Sequence, residues 1–209
     1  HYVLDLWFEK CIKKQLYGEA YLVRFADDFL IMFQYERDAQ RVYEAIIKRM
    51  ELFGLELFKE KTRILPFGRY SVSRETFDFL GFTHFNSKTR KGYYSVGHKI
   101  SRKKKKQFKS NLKKWVKENR DKQFDEFMKK LNKKLTGSFN YYSLSGMIRE
   151  VRSLWIHSLY VTFKWMNRRS QRRSFKLERF YEIWHERIIH PYIHVDIWSG
   201  DKVIYNKKV

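Results

Sequence analysis

The chain has 209 residues, with 45 Lys and Arg against 23 Asp and Glu, a formal net charge of +22, 43% hydrophobic residues, nine glycines and two prolines. That length accommodates one large domain or two small ones with a real core, and the composition excludes a disordered, collagen-like or low-complexity protein. The single cysteine, Cys11, excludes an internal disulfide framework and a Cys-based zinc site, and no run approaches the roughly 20 apolar residues that span a bilayer.

The charge is unevenly placed. The first 85 residues carry 13 basic and 13 acidic side chains, and the remaining 124 carry 32 against 10. A neutral segment followed by a very basic one points to a polyanion-binding half joined to something else. No signal peptide opens the chain, and one reduced cysteine fits the cytoplasm. The chain starts on His1, not Met, and reads as though it begins inside a larger protein.

In chain order, residues 2–16 read as a helix with Val3, Leu6, Trp7 and Ile12 on one side and Cys11 packed within it. Two hydrophobic runs, Tyr21–Phe25 and Phe29–Phe33, are separated by Ala26-Asp27-Asp28, which predicts a β-hairpin covered on both faces. Glu36 to Phe53 has apolar residues at helical spacing, stopped by Gly54. Strands are expected over Thr62–Phe67 and Thr76–Phe85, with a further hairpin crossing Lys91-Gly92 into Tyr93–Val96. After Ser101, a suitable N-cap, the period becomes helical: a Lys-rich helix, then helices over about 124–135, 144–166 and 177–189. The fold class is therefore α+β: an antiparallel sheet with helices, followed by an all-α bundle.

The sharpest local feature is Phe25-Ala26-Asp27-Asp28 at the expected hairpin tip. Adjacent carboxylates repel, and a divalent cation offsets that repulsion. Mg²⁺ in particular takes hard oxygen ligands and keeps positions open for substrate phosphates. Taken alone, an Asp-Asp turn is more often a solvated turn than a metal site.

Its surroundings change that balance. YLVRFADDFLIMF resembles the Tyr-x-Asp-Asp hairpin of reverse transcriptases, GLELFKEKTRILPFGR (54–69) their following Lys-Thr block, and FDFLGF (77–82) the block that closes their palm. LNKKLTGSFNYYSL (131–144) is similar to the thumb, or maturase, signature of group II intron proteins, and FKWMNRRSQRR (163–173) to its basic helix end. The chain thus resembles the C-terminal part of a group II intron reverse transcriptase/maturase.

The resemblance implies a partial polymerase palm over residues 1–98 and a helical thumb/maturase domain over 99–209. Asp27 and Asp28 would be catalytic, metal-binding carboxylates, with Mg²⁺ as cofactor and Asp27 the more direct ligand. Lys61 would meet nucleotide or pyrophosphate, and Phe25 and Gly81 the primer and template; a surface lysine and a turn glycine are the plain alternatives. Phe25 stands where the family usually has Tyr. The remaining palm aspartate and the fingers lie upstream of His1 in that family, Asp5 in its helix is no substitute, and the chain is expected to be inactive alone.

The expected partners are template and intron RNA, an RNA/DNA duplex and dNTP in the complete enzyme, with no membrane. The nucleic-acid-binding candidates are Arg102, Lys103, Lys104, Lys105, Lys106, Lys109 and Lys113, then Arg168, Arg169, Arg172 and Arg173. Tyr141, Tyr142, Trp165 and Trp184 either stack on unpaired bases or, more commonly for such residues, pack the bundle. His185, His190 and His194 straddle Pro191 and make a poor metal motif. Alternatives of other kinds are a splicing cofactor with a vestigial palm, or a domesticated reverse transcriptase of a defence system.

Overall fold

A computed structural model describes residues 2–58, 60–169, 174–193 and 195. The chain is mixed helix and sheet and divides into two compact units. Residues up to Leu80 together with Phe85–Val96 form one; Gly81–His84 and the described residues from Gly97 onward form the other.

The first unit opens on π-helical turns, Tyr2–Leu6 and Phe8–Ile12, ending in a 3₁₀ turn at Lys13–Gln15. The wider i→i+5 winding shifts the most deeply buried positions, while most of the expected residues still pack on the core. Leu4 and Phe8 are the buried residues, while Val3, Trp7 and Ile12 are only partly covered and Cys11 is exposed instead of packed.

β1 (Ala20–Phe25) and β2 (Asp28–Phe33) pair antiparallel, with Phe25 opposite Asp28. The turn is therefore two residues, Ala26-Asp27, and Asp28 begins a strand instead of belonging to a three-residue break. The hairpin is covered on one face only. Ala20, Leu22, Phe29, Ile31 and Phe33 pack into the core with Val42, Ile46 and Met50 of α1 (Glu36–Leu52), whereas Tyr21, Val23, Phe25 and Met32 are exposed. The near-continuous hydrophobicity thus reports one buried face and one open apolar face.

Asp38, in the first turn of α1, is 1% exposed, and its Oδ2 accepts from the backbone N–H groups of Tyr17 and Gly18 at 3.0 and 3.1 Å. It satisfies two donors that the bend into β1 leaves without a ladder partner.

No strand forms over Thr62–Phe67: Pro66 has no N–H to give, the Arg63 guanidinium donates to Thr76 O at 2.6 Å, and Phe67 packs edge-on against Phe77 at 5.1 Å. The expected strand over Thr76–Phe85 is broken into β3 (Phe77–Phe79) and β4 (Phe82–Lys88), because Leu80 and Gly81 both take positive φ, 49° and 83°, and reverse the chain. β5 (Tyr94–Ile100) completes a sheet of order β3-β4-β5.

The second unit is built on α2 (Arg102–Asn119), α3 (Phe124–Tyr142), α4 (Ile148–Met166) and α5 (Leu177–Arg187). Ser101 caps α2, its side chain accepting from Lys104 N–H. Leu112, Val116, Phe127, Leu131, Leu135, Val151, Leu154, Phe180 and Trp184 make one continuous core. Helix α3 runs a further seven residues beyond the expected end at 135, because Phe139 and Tyr142 continue its buried stripe.

Candidate active site and nucleic-acid interface

Asp27 occupies the β1–β2 turn and Asp28 the first position of β2, both exposed. Ala26 adopts a φ of 51°, a strained value for a non-glycine residue, and the Arg24 guanidinium donates to its carbonyl at 2.9 Å. The same guanidinium forms two parallel hydrogen bonds with Asp5, both 2.7 Å. Those bonds hold the Asp5 carboxyl below the usual carboxylate range, and they raise Arg24, with a smaller contribution from the charge of Asp27. The Arg24 guanidinium beside the turn is thus bound bidentately to another acid.

Among the described residues no group of three His, Cys, Asp or Glu side chains is placed to hold a metal ion. His185 and His190 do come together, with ring centroids 4.5 Å apart and both packed against Trp155. They are part of an aromatic cluster, and His194 lies outside the described residues. The other palm candidates are local. Lys61 places its Nζ 4.6 Å over the Phe58 ring, and the Phe25 ring is 66% exposed on the open hairpin face. Gly81 turns the chain into β4, and its carbonyl accepts from Ser101 N–H at 2.9 Å.

In the second unit, Arg102, Lys103, Lys104 and Lys106 project from the first turns of α2, and Lys113 is exposed further along. Lys105 differs, since its Nζ lies 2.5 Å from Glu150 of α4 and fixes one helix to the other. Arg169 is likewise engaged, donating to Lys122 O at 2.7 Å. Lys117, Arg120 and Arg168 surround the Trp165 ring at 5.9, 5.5 and 5.4 Å from its centroid. Arg172 and Arg173 lie outside the described residues. Of the four interleaved aromatics, Trp184 and Tyr142 are core residues, Trp165 is half-buried and Tyr141 is exposed.

The 131–142 stretch, read in the sequence as a signature, is a helix with structural work of its own. Leu131, Leu135, Phe139 and Tyr142 face the core, and Asn132 Oδ1 accepts from Ile189 N–H at 2.9 Å, tying down the chain after α5. Neither that role nor the one played by Asp38 leaves a local signal, because both partners are more than 20 positions away or set by a bend.

Residues 2–84 match the family model for reverse transcriptase (RNA-dependent DNA polymerase), and residues 105–182 match the group II intron, maturase-specific domain. The chain belongs to the group II intron reverse transcriptase/maturase family. No curated protein matches it in a search of characterised sequences.

A group II intron reverse transcriptase/maturase joins RNA-directed DNA polymerase chemistry to maturase function and binds RNA. Reverse transcriptases as a family use divalent metal. The donor set at the Ala26-Asp27 turn fits such an ion in kind. It offers two exposed carboxylates, hard oxygen ligands whose neighbouring guanidinium is already paired to Asp5. Among the described residues no helix is long and apolar enough to cross a membrane.

Proposed function

We propose that Asp27 and Asp28 are catalytic carboxylates of RNA-templated DNA synthesis and that they take magnesium, with Asp27 in the turn the more direct ligand. The observation that carries this is the turn itself: two adjacent exposed acids at a two-residue hairpin tip, with Arg24 hydrogen-bonded to Asp5 in preference to either of them. When bound, the ion supplies charge stabilisation and a lowered pKa for the attacking hydroxyl. Asp27 and Asp28 contribute position and negative charge, and the bidentate Asp5–Arg24 pair, with its hydrogen bond to Ala26 O, holds the strained turn that presents them.

The substrates are then a deoxynucleoside triphosphate, a DNA primer and an RNA template. Residues 1–98 are the C-terminal part of a palm, and Lys61 is assigned to nucleotide or pyrophosphate. The exposed ring of Phe25 and the turn at Gly81 are assigned to the primer side. Residues 99–209 act as thumb and maturase domain, holding the RNA/DNA duplex and folded intron RNA through Arg102, Lys103, Lys104, Lys106, Lys109, Lys113 and Arg168. Lys105 and Arg169 serve the fold first. Two carboxylates do not complete a site of the two-metal kind, so synthesis by this segment alone is not expected.

The test is RNA-templated primer extension by the chain expressed in its full reading frame, beside the Asp27→Ala variant. Loss of DNA synthesis in the variant is expected; unchanged synthesis refutes the assignment. Splicing assistance by a wild-type protein that makes no DNA would favour the pure splicing cofactor.

A further inference from the structure

Helices α2 and α3 leave a groove of about 240 Å³ between them, entirely within the second unit. Its size is below the ~300–1,000 Å³ typical of sites for drug-sized ligands, which suits one planar group of nucleobase scale. One wall is a polar stripe on α2, Lys104, Gln107 and Asn111, at positions i, i+3 and i+7. The opposite wall is Lys134 and Ser138 of α3. Between them the floor is apolar, formed by the half-buried Phe108 ring and by Leu112 and Leu135 of the core. Among the described residues no acidic side chain lines it.

The mixture of groups separates this groove from the simple cationic faces around it. A backbone phosphate asks only for donors, which the lysines along α2 offer everywhere. A base edge asks for donors and acceptors together, and a carboxamide carries both. Gln107 and Asn111 are the two carboxamides on this wall, and their side chains are exposed. The floor supplies an aromatic ring, Phe108, and aromatic rings are stacking partners for any base. Lys104 and Lys134, one on each wall, add positive charge of the kind that attracts the phosphates flanking a nucleotide.

We propose that the α2–α3 groove receives a single unpaired nucleotide of bound RNA, its base over Phe108 and its edge read by Gln107 and Asn111. The proposal rests on the RNA binding of the family and adds to it a site that distinguishes an unpaired base from a helix.

The test is fluorescence anisotropy with the 209-residue chain and three labelled RNAs of one sequence: a duplex with one unpaired adenosine, the same duplex fully paired, and the duplex with an abasic residue at the bulge. The bulged RNA is expected to bind about tenfold more tightly than the other two, the scale of one base stack. The exposed-residue double variant Gln107→Ala/Asn111→Ala should erase that preference while changing paired-duplex affinity by no more than about twofold, because phosphate contacts carry the paired binding. Equal affinity for the three RNAs, or a preference that survives in the double variant, overturns the nucleotide site alone. Failure to bind any of the three overturns RNA binding by this segment and the site with it.

Discussion

At the scale of single residues, the hairpin that presents Asp27 and Asp28 depends on side chains with no part in the proposed chemistry. Asp38 gathers the Tyr17 and Gly18 N–H groups just before β1. Asp38→Ala should cost about 2 kcal/mol in urea unfolding, because two backbone donors lose a charged acceptor in a buried place. A loss within experimental error would mean that water replaces the carboxylate there. The Asp27-Asp28 pair was legible from its motif, since two crowded acids between hydrophobic runs are a local pattern. The Asp5–Arg24 clamp was not, because only the packed first unit brings residue 5 beside residue 24.

At the scale of elements, periodicity identified each helix of the second unit, and Leu112 and Val116 form the buried stripe of α2. In the first segment it found Val3, Trp7 and Ile12, which pack on the core, but missed the more deeply buried Leu4 and Phe8, since π-helical winding departs from the 3.6-residue period on which such patterns rest. It also read an apolar run as a strand at 62–67, where a proline and side-chain contacts take the place of a ladder. The cations of α2 stand together in the sequence as nucleic-acid-binding candidates, yet its lysines differ in environment, and RNA titration separates them. Lys103→Gln should lower the slope of log affinity against log salt by about 0.7–0.9 and leave thermal stability unchanged. Lys105→Gln should instead lower the melting temperature, because it leaves Glu150 of α4 without its partner at 2.5 Å. Identical behaviour of the two variants would show that the pairing with Glu150 carries no weight.

At the scale of the molecule, the two units have separate hydrophobic cores, and most of the excess positive charge lies in the second, although residues 86–96 of the basic segment belong to the first and residues 81–84 of the neutral one to the second. The second unit also carries a pH dependence. Burial lowers His185, with the nearby His190 adding to the effect, and burial followed by the charge of Lys109 lowers His157. Each imidazole is thus harder to protonate in the folded protein than in the unfolded chain. The unfolded state binds more protons once the pH falls through the ordinary histidine value of about 6.5, so stability is present above that value and declines below it. The melting temperature should drop between about pH 7.5 and 5.5, with a shallower drop in His185→Phe; a variant as steep as the wild type would remove His185 from the cause.

The proposed function separates chemistry, at a hairpin tip in the first unit, from affinity, on the helices of the second. Primer extension and RNA binding measured side by side on Asp27→Asn in the full reading frame test that separation most directly. DNA synthesis should fall by about a thousandfold or more while RNA affinity stays within about twofold. Synthesis near the wild-type rate, or an affinity that falls in step with synthesis, would contradict it.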